Sequence, residues 1–355
     1  MIDDLGLDRV VAAMLATQRH SWEQGIVMQA LDALGAQAQM VALARAAVAT
    51  TCVGDGRVGV LPGPDEGAAT DPCACGIPLA RAYALTGDGV FAKALEGLEE
   101  WALHRAPRNA DGIVYHEISR PRIWVDSFFM LPPFLADRGH VGEALHQIRG
   151  YWGALHDPAT GLLFHMWNAE LGVEGDGSSG PGHSTQRDEK SRPEEPSPQP
   201  ATKGKRPSGG LEWPNLWATG NGWALAGMAQ VAERAGRPAD RAEVAGLMET
   251  VLSGLARFQR EDGLFHNMID RPDTFVDAAG ASLAAYAIFR GVGAGWLPER
   301  FGPMAARARA GVRGRIDAYG FVTGVPGAPR FEAPGISAEA QAAYLLMETA
   351  GQKFD

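Results

Sequence analysis

The chain has 355 residues, 46% of them hydrophobic, which is ample for a large core. A formal net charge of -10 with no broad basic stretch excludes a nucleic-acid binder built on phosphate neutralisation. Three cysteines, Cys52, Cys73 and Cys75, are too few and too odd for a disulfide framework, and Cys73-Ala-Cys75 lacks the second pair or His cluster of a metal site.

The opening Met-Ile-Asp-Asp is acidic and has no charged-then-apolar leader, and no apolar run reaches membrane-spanning length. A cytoplasmic protein with no membrane partner is therefore expected. Apolar residues then recur three and four apart in Ala-rich segments. They predict helices over about 5–18, 21–34, 38–52, 72–86, 89–104, 124–136, 140–156, 217–235, 238–260, 277–291, 298–316 and 337–350. Gly at a helix end, often followed by Pro or Asp, marks a stop and restart. Such points fall at Leu34-Gly35, Leu85-Thr-Gly-Asp88, Arg138-Gly139 and Ala235-Gly-Arg-Pro238, so the helices come in pairs.

Between pairs run longer loops, 54–71, 106–122, 157–175 and 261–275, carrying Gly, Asp, His and aromatic residues. Three share a pattern: Asp111-Gly-Ile-Val-Tyr-His116, Thr160-Gly-Leu-Leu-Phe-His165 and Asp262-Gly-Leu-Phe-His266. Each reads as a short strand or hairpin delivering its His to a common place. The stretch 175–210 is foreign in composition, rich in Ser, Pro, Gly and charge. It has almost nothing to bury, which predicts disorder. Helices of one style flank it, so it reads as a loop inserted in a single domain spanning 1–355. Helix pairs with chemistry in alternate loops suit a closed barrel or an open solenoid. Loops this rich in His, Trp and Asp favour the barrel: an all-α (α/α)6 ring of six helical hairpins with a funnel at one end.

Five clusters carry the candidate chemistry. Arg19-His-Ser-Trp-Glu-Gln-Gly25 and Asp71-Pro-Cys-Ala-Cys-Gly76 both read as helix entries, with Ser21 and Asp71 as possible caps. Trp217-Ala-Thr-Gly-Asn-Gly-Trp223 is a third entry, with Asn221 holding a turn. Phe265-His-Asn-Met268 with Asp270 is a fourth cluster. The fifth, Arg122-Ile-Trp-Val-Asp-Ser-Phe-Phe-Met130, sets Asp126 in an apolar and aromatic run. Asp126 there is either an N-cap or a dehydrated acid with a raised pKa, suited to proton transfer. Each cluster alone has a structural explanation. Converging on one cleft, their rings and polar tips suit a carbohydrate, the rings stacking on sugar faces.

Trp124-Val-Asp-Ser-Phe-Phe-Met-Leu-Pro-Pro-Phe-Leu135 and Thr219-Gly-Asn-Gly-Trp223 resemble runs of glycoside hydrolase families 88 and 105, the unsaturated glucuronyl and rhamnogalacturonyl hydrolases. Phe275–Ile288, Gly293-Ala-Gly-Trp-Leu297 and Pro334-Gly-Ile-Ser-Ala-Glu-Ala-Gln341 are similar to their late segments. The resemblance implies an (α/α)6 barrel. It implies removal of a 4,5-unsaturated uronic acid from the non-reducing end of lyase-made oligosaccharides, by hydration of the ring vinyl ether and without metal or other cofactor. It implies Asp126 as the acid that then acts as base, and Asp71 as the second aspartate. It implies His116, Trp124, Met130, Trp217 and Trp223 as lining the subsite. The loop and cluster patterns themselves add His165, Asn221 and Trp22 as substrate-binding candidates, Trp22 as either a sugar-stacking platform or core. Thr219 stands where family 105 has Arg, so the uronate carboxylate needs another donor, for which Arg19, His20 and Arg122 are candidates. A conventional glycosidase would instead need a second carboxylate, Glu117 or Asp71. A sugar-binding module without turnover is the non-enzyme alternative. The expected partner is the unsaturated oligosaccharide, with no nucleic acid, and the protein is expected to be a monomer or homodimer.

Overall fold

Why the helices close into a ring follows from which of them are apolar all round. A computed structural model describes residues 4–171 and 209–355. The helices are α1 (Asp4–Thr17), α2 (Ser21–Ala33), α3 (Gln37–Thr50), α4 (Gly76–Thr86), α5 (Gly89–Glu100), α6 (Ser127–Met130), α7 (Pro132–Asp137), α8 (Val141–Leu155), α9 (Ala218–Arg234), α10 (Pro238–Ala256), α11 (Ala278–Gly293), α12 (Gly302–Arg313) and α13 (Ala338–Gly351). Nearly every residue of α9, α11 and α13 is buried, whereas α3, α10 and α12 bury only a stripe. A helix without a polar face belongs inside; one with a stripe belongs outside.

The inner ring runs α2, α4, α6–α7, α9, α11, α13, and α13 packs back on α2 to close it. The outer helices α3, α5, α8, α10 and α12 each pack on the inner helix before them, and α1 packs on α13. This is the expected six-hairpin (α/α)6 barrel. The segment expected as one helix over 124–136 is two, because Pro132 and Pro133 have no N–H to continue the ladder. The freed carbonyl of Phe128 lies against Gly227 of α9, where an added Cβ would stand 2.1 Å from that oxygen. Glycine is what lets α6 and α9 approach.

Among the described residues seven short strands complete the fold. β1 (Arg122–Trp124), β2 (Met166–Asn168) and β3 (Gly210–Trp213) form an antiparallel sheet with Trp124 opposite Met166 and Met166 opposite Trp213. β4 (Phe265–His266) pairs with β5 (Val276–Asp277), and β6 (Val325–Pro326) with β7 (Pro334–Gly335). All seven lie in loops that run from an outer helix to the next inner one. They therefore gather at one end of the barrel and build its mouth. Of the foreign stretch 175–210, only Gly209 and Gly210 fall within the described residues, so the expectation for the rest lies outside them. Among the described residues no helix is long and apolar enough to cross a membrane.

Candidate active site

The repeated Gly–apolar–His loops share one backbone geometry. Gly112, Gly161 and Gly263 have φ between 75° and 82°, the left-handed region that glycine enters without penalty. After each, the carbonyl of the next residue accepts from a backbone N–H four or five positions back: Asn109, Asp157 and Arg260. The fourth residue past the glycine then reaches the barrel mouth. That residue is His116 in the first loop, His165 in the second and Asn267 in the third. His266 comes one position early, so the strand's two-residue alternation turns it to the other face. It contacts Arg260 and the Thr274 carbonyl and does not reach the cavity, contrary to the shared-His expectation. Side-chain amides pin these loops. Gln147 accepts from Val114 N–H, while Asn221 accepts from Leu163 N–H and donates to the carbonyls of Leu163 and Trp217.

At the mouth a cavity of about 700 Å³ is lined by residues from all six inner-helix entries. Asp126 stands at its wall, just before α6. It makes no cap bond, and its Oδ2 has no hydrogen-bond partner among the described residues, so the N-cap reading does not hold. Burial raises its pKa from 3.8 to about 7, opposed only weakly by its own backbone N–H. Asp71, on the 3-10 helix Asp71–Cys75 that runs directly into α4, is buried with Oδ1 unbonded and does not cap either. Burial first, then the charge of Asp126, holds Asp71 well above the usual carboxylate range. Glu339, in the first turn of α13, is likewise raised well above its ordinary value, by burial and then by Glu23 and Asp126. Burial thus raises all three carboxyls, and the charge of Asp126 pushes Asp71 and Glu339 further in the same direction.

The histidines here are neutral. His116 lies 3.5 Å from Asp71, but burial and His165 lower its pKa to about 3, so the contact is not an ion pair. Its Nδ1 meets the hydroxyls of Thr70 at 2.8 Å and Ser127 at 3.1 Å. Its ring stacks on Trp124 with centroids 4.7 Å apart. His165, lowered to about 4 by burial, sits among Trp124, Trp213 and Trp217 at 5.5, 5.3 and 4.8 Å. Trp124 Nε1 and His165 Nε2 have no partner among the described residues. The result is an aromatic box with unbonded polar tips beside a dehydrated acid.

Of the expected site residues, Trp22, Asp71, His116, Trp124, Asp126, Met130, His165 and Trp217 border this cavity. Six do not. Thr219 is buried with its hydroxyl and N–H on Asp277, at 2.7 and 3.0 Å, so it braces α9 against β5. Asn221 is buried and spends its amide on the 160–165 loop. Trp223 is in the core against Phe129. Arg19 is exposed and bonds the Thr17 carbonyl, and His20 stacks on Trp22. Arg122 is held between Glu117 and Glu212. Ser21, expected as a cap, instead donates to Asp65 at 2.8 Å. The sequence reading missed Glu339, Asn215 and Trp213, and the 329–332 loop with Arg330 and Glu332. Asn267 had a signal, since it holds the place past glycine that His116 and His165 hold.

A family profile described as Glycosyl Hydrolase Family 88 matches residues 8–174 and 201–331. The chain belongs to that family. Family 88 is a glycoside hydrolase family, and the six-hairpin barrel is the architecture the chain's solved neighbours share. The unsaturated rhamnogalacturonyl hydrolase YesR of Bacillus subtilis is 25% identical over 221 residues, 58% of this chain and 53% of that protein. The chain thus spans about half the length of the relative it matches. A possible family 105 member from Klebsiella pneumoniae superposes with a TM-score of 0.76 at 18% identity, covering 99% of this chain and 93% of that one. The family 105 hydrolase of C. acetobutylicum gives 0.75 at 19%, covering 99% and 100%. The unsaturated glucuronyl hydrolase of Bacillus sp. GL1, described as responsible for glycosaminoglycan degradation, gives 0.65 at 15%, covering 95% and 86%. At these identities the structures speak for the fold.

Proposed function

We propose that this family 88 protein removes a 4,5-unsaturated uronic acid from the non-reducing end of lyase-made oligosaccharides by hydrating the ring double bond. The observation that carries the reading is Asp126: an uncapped acid that keeps its proton to about pH 7 at the wall of an aromatic cavity. Asp126 gives its proton to C4 of the vinyl ether, and the ring oxygen shares the positive charge that develops at C5. The Asp126 carboxylate then takes a proton from a water that adds at C5. The resulting hemiketal opens to a keto sugar and expels the aglycone as an alcohol. Asp71, His116, Trp124, Trp217 and Met130 line the same cavity as Asp126.

The conventional alternative needs an ionised nucleophile or base facing the acid. Burial raises Asp71 and Glu339 well above the usual carboxylate range, which disfavours either in that role. The substrate's carboxylate needs a cation, and neutral His116 and His165 offer none. Arg330 is the one Lys or Arg among the described residues lining the cavity, it is exposed, and no carboxylate of those residues pairs with it. In this proposal it takes the place expected for Arg19, His20 or Arg122.

The test compares a lyase-made disaccharide with its saturated uronyl counterpart. Cleavage of the unsaturated sugar alone supports hydration. Equal cleavage of both would show ordinary glycoside hydrolysis and overturn the proposal.

A further inference from the structure

In the inner ring, α13 stands opposite α6–α7, with α2 and α4 on one side and α9 and α11 on the other. Asp126 precedes α6 and Glu339 lies in the first turn of α13, so the two acids line one cavity from opposite sides of the ring. Glu339 is 4% exposed. One carboxyl oxygen accepts from Trp22 Nε1 at 3.1 Å, and the group makes no other hydrogen bond within the described residues. No Lys, Arg or His side chain among them pairs with it. A buried carboxyl with one donor and no cation is costly unless a further partner arrives. The α13 entry that presents it is fixed from outside the site, by Ser337 accepting from Ala340 N–H at 3.3 Å. The fold therefore holds this acid at the cavity on an ordered helix entry rather than at a frayed end.

Building on the hydrolase reading, we propose that Glu339 is a substrate-binding acid: its free carboxyl oxygen donates a hydrogen bond to a hydroxyl of the unsaturated ring and holds that ring against Asp126. The unsaturated ring offers hydroxyls at C2 and C3 only, because C4 and C5 carry the double bond. A protonated acid suits this task, since Trp22 already fills one acceptor oxygen and leaves the O–H for the sugar. Burial first, then the charges of Glu23 and Asp126, raise the Glu339 carboxyl well above its ordinary value.

The experiment measures kcat/KM of wild type, Glu339→Gln and Glu339→Ala on a lyase-made disaccharide and on its 2-deoxy and 3-deoxy forms at the unsaturated ring, with melting temperatures alongside. Glu339→Ala should lose about tenfold or more, the scale of one hydrogen bond to a site left unpaired. Glu339→Gln, whose amide still donates, should keep most activity. Wild type should lose a similar factor on one of the two deoxy substrates, and Glu339→Ala should be indifferent to that same deletion. If Glu339→Ala stays as sensitive to both deletions as wild type, the inference is overturned. It is equally overturned if Trp22→Phe, which removes the Trp22–Glu339 bond and leaves the Glu339 carboxyl in place, reproduces the whole loss and the same indifference. If wild type turns over none of the parent disaccharides, the hydrolase reading itself fails, and this inference with it.

Discussion

Replacing Asp126 by Asn should abolish activity and stabilise the protein at alkaline pH. The Asp126 carboxyl titrates at about 7 when folded against 3.8 ordinarily, so between those values the folded chain holds a proton that the unfolded chain has released. Stability therefore falls as pH rises through that window and levels off above about 7. Three pKa units at about 1.4 kcal/mol each give an upper figure of about 4 kcal/mol. At about 2.1 cal/mol/K per residue, 355 residues unfold with about 0.75 kcal/mol/K, so that energy corresponds to about 5 °C. The Asp126→Asn variant, neutral at every pH, carries no such penalty. The two proteins should melt together near pH 4, and Asp126→Asn should melt up to about 5 °C higher at pH 8, by scanning calorimetry. Beyond that window wild-type kcat should fall about tenfold per pH unit above about 7, as the acid form is lost. A melting difference equal at pH 4 and pH 8, or a less stable Asn variant at pH 8, would refute the claim that Asp126 is a dehydrated acid.

Three further outcomes follow from the same geometry. Arg330→Gln should raise KM for an unsaturated uronate about tenfold with little change in kcat, and should have no effect on its methyl ester, as steady-state kinetics on the two substrates will show. Asn221→Ala should orphan the Leu163 N–H and carbonyl, cost about 2–4 kcal/mol in urea unfolding and lower kcat by loosening the loop that carries His165. Gly227→Ala should set a methyl against the Phe128 carbonyl, push α6 and Asp126 from place, and lower both melting temperature and kcat.

The helices are legible in the sequence because period and stop signals are local. Gly87 ends α4 in the left-handed conformation and Asp88 caps α5 through Val90 N–H, as their order in the sequence implies. The mouth is legible wherever a loop repeats. Gly112-to-His116 and Gly161-to-His165 share a spacing, and Gly263-to-His266 fails by the one residue that reverses a strand's faces. What a lone sequence hides is which side of a helix entry faces inward. Arg19 and His20 adjoin Trp22, yet Glu23 takes their backbone N–H groups at 2.7 and 3.0 Å and fixes the turn so that Trp22 alone reaches the cavity. Thr219 reads in sequence as a vacancy for an arginine, while its hydroxyl is bound to Asp277, 58 positions later in the chain. Glu339 reads only as part of a family-like helix. Its meaning depends on Trp22, 317 positions away, which no local pattern records.

The central claim is tested most directly by following the absorbance of the conjugated double bond in lyase-made disaccharides from pectin, glycosaminoglycan and ulvan, with wild type and Asp126→Asn side by side. The account predicts loss of absorbance with at least one of them, a keto sugar as product, and no loss with the Asn variant at equal or higher melting temperature. Undiminished absorbance with every disaccharide from folded wild type, or unchanged turnover by Asp126→Asn, would contradict it.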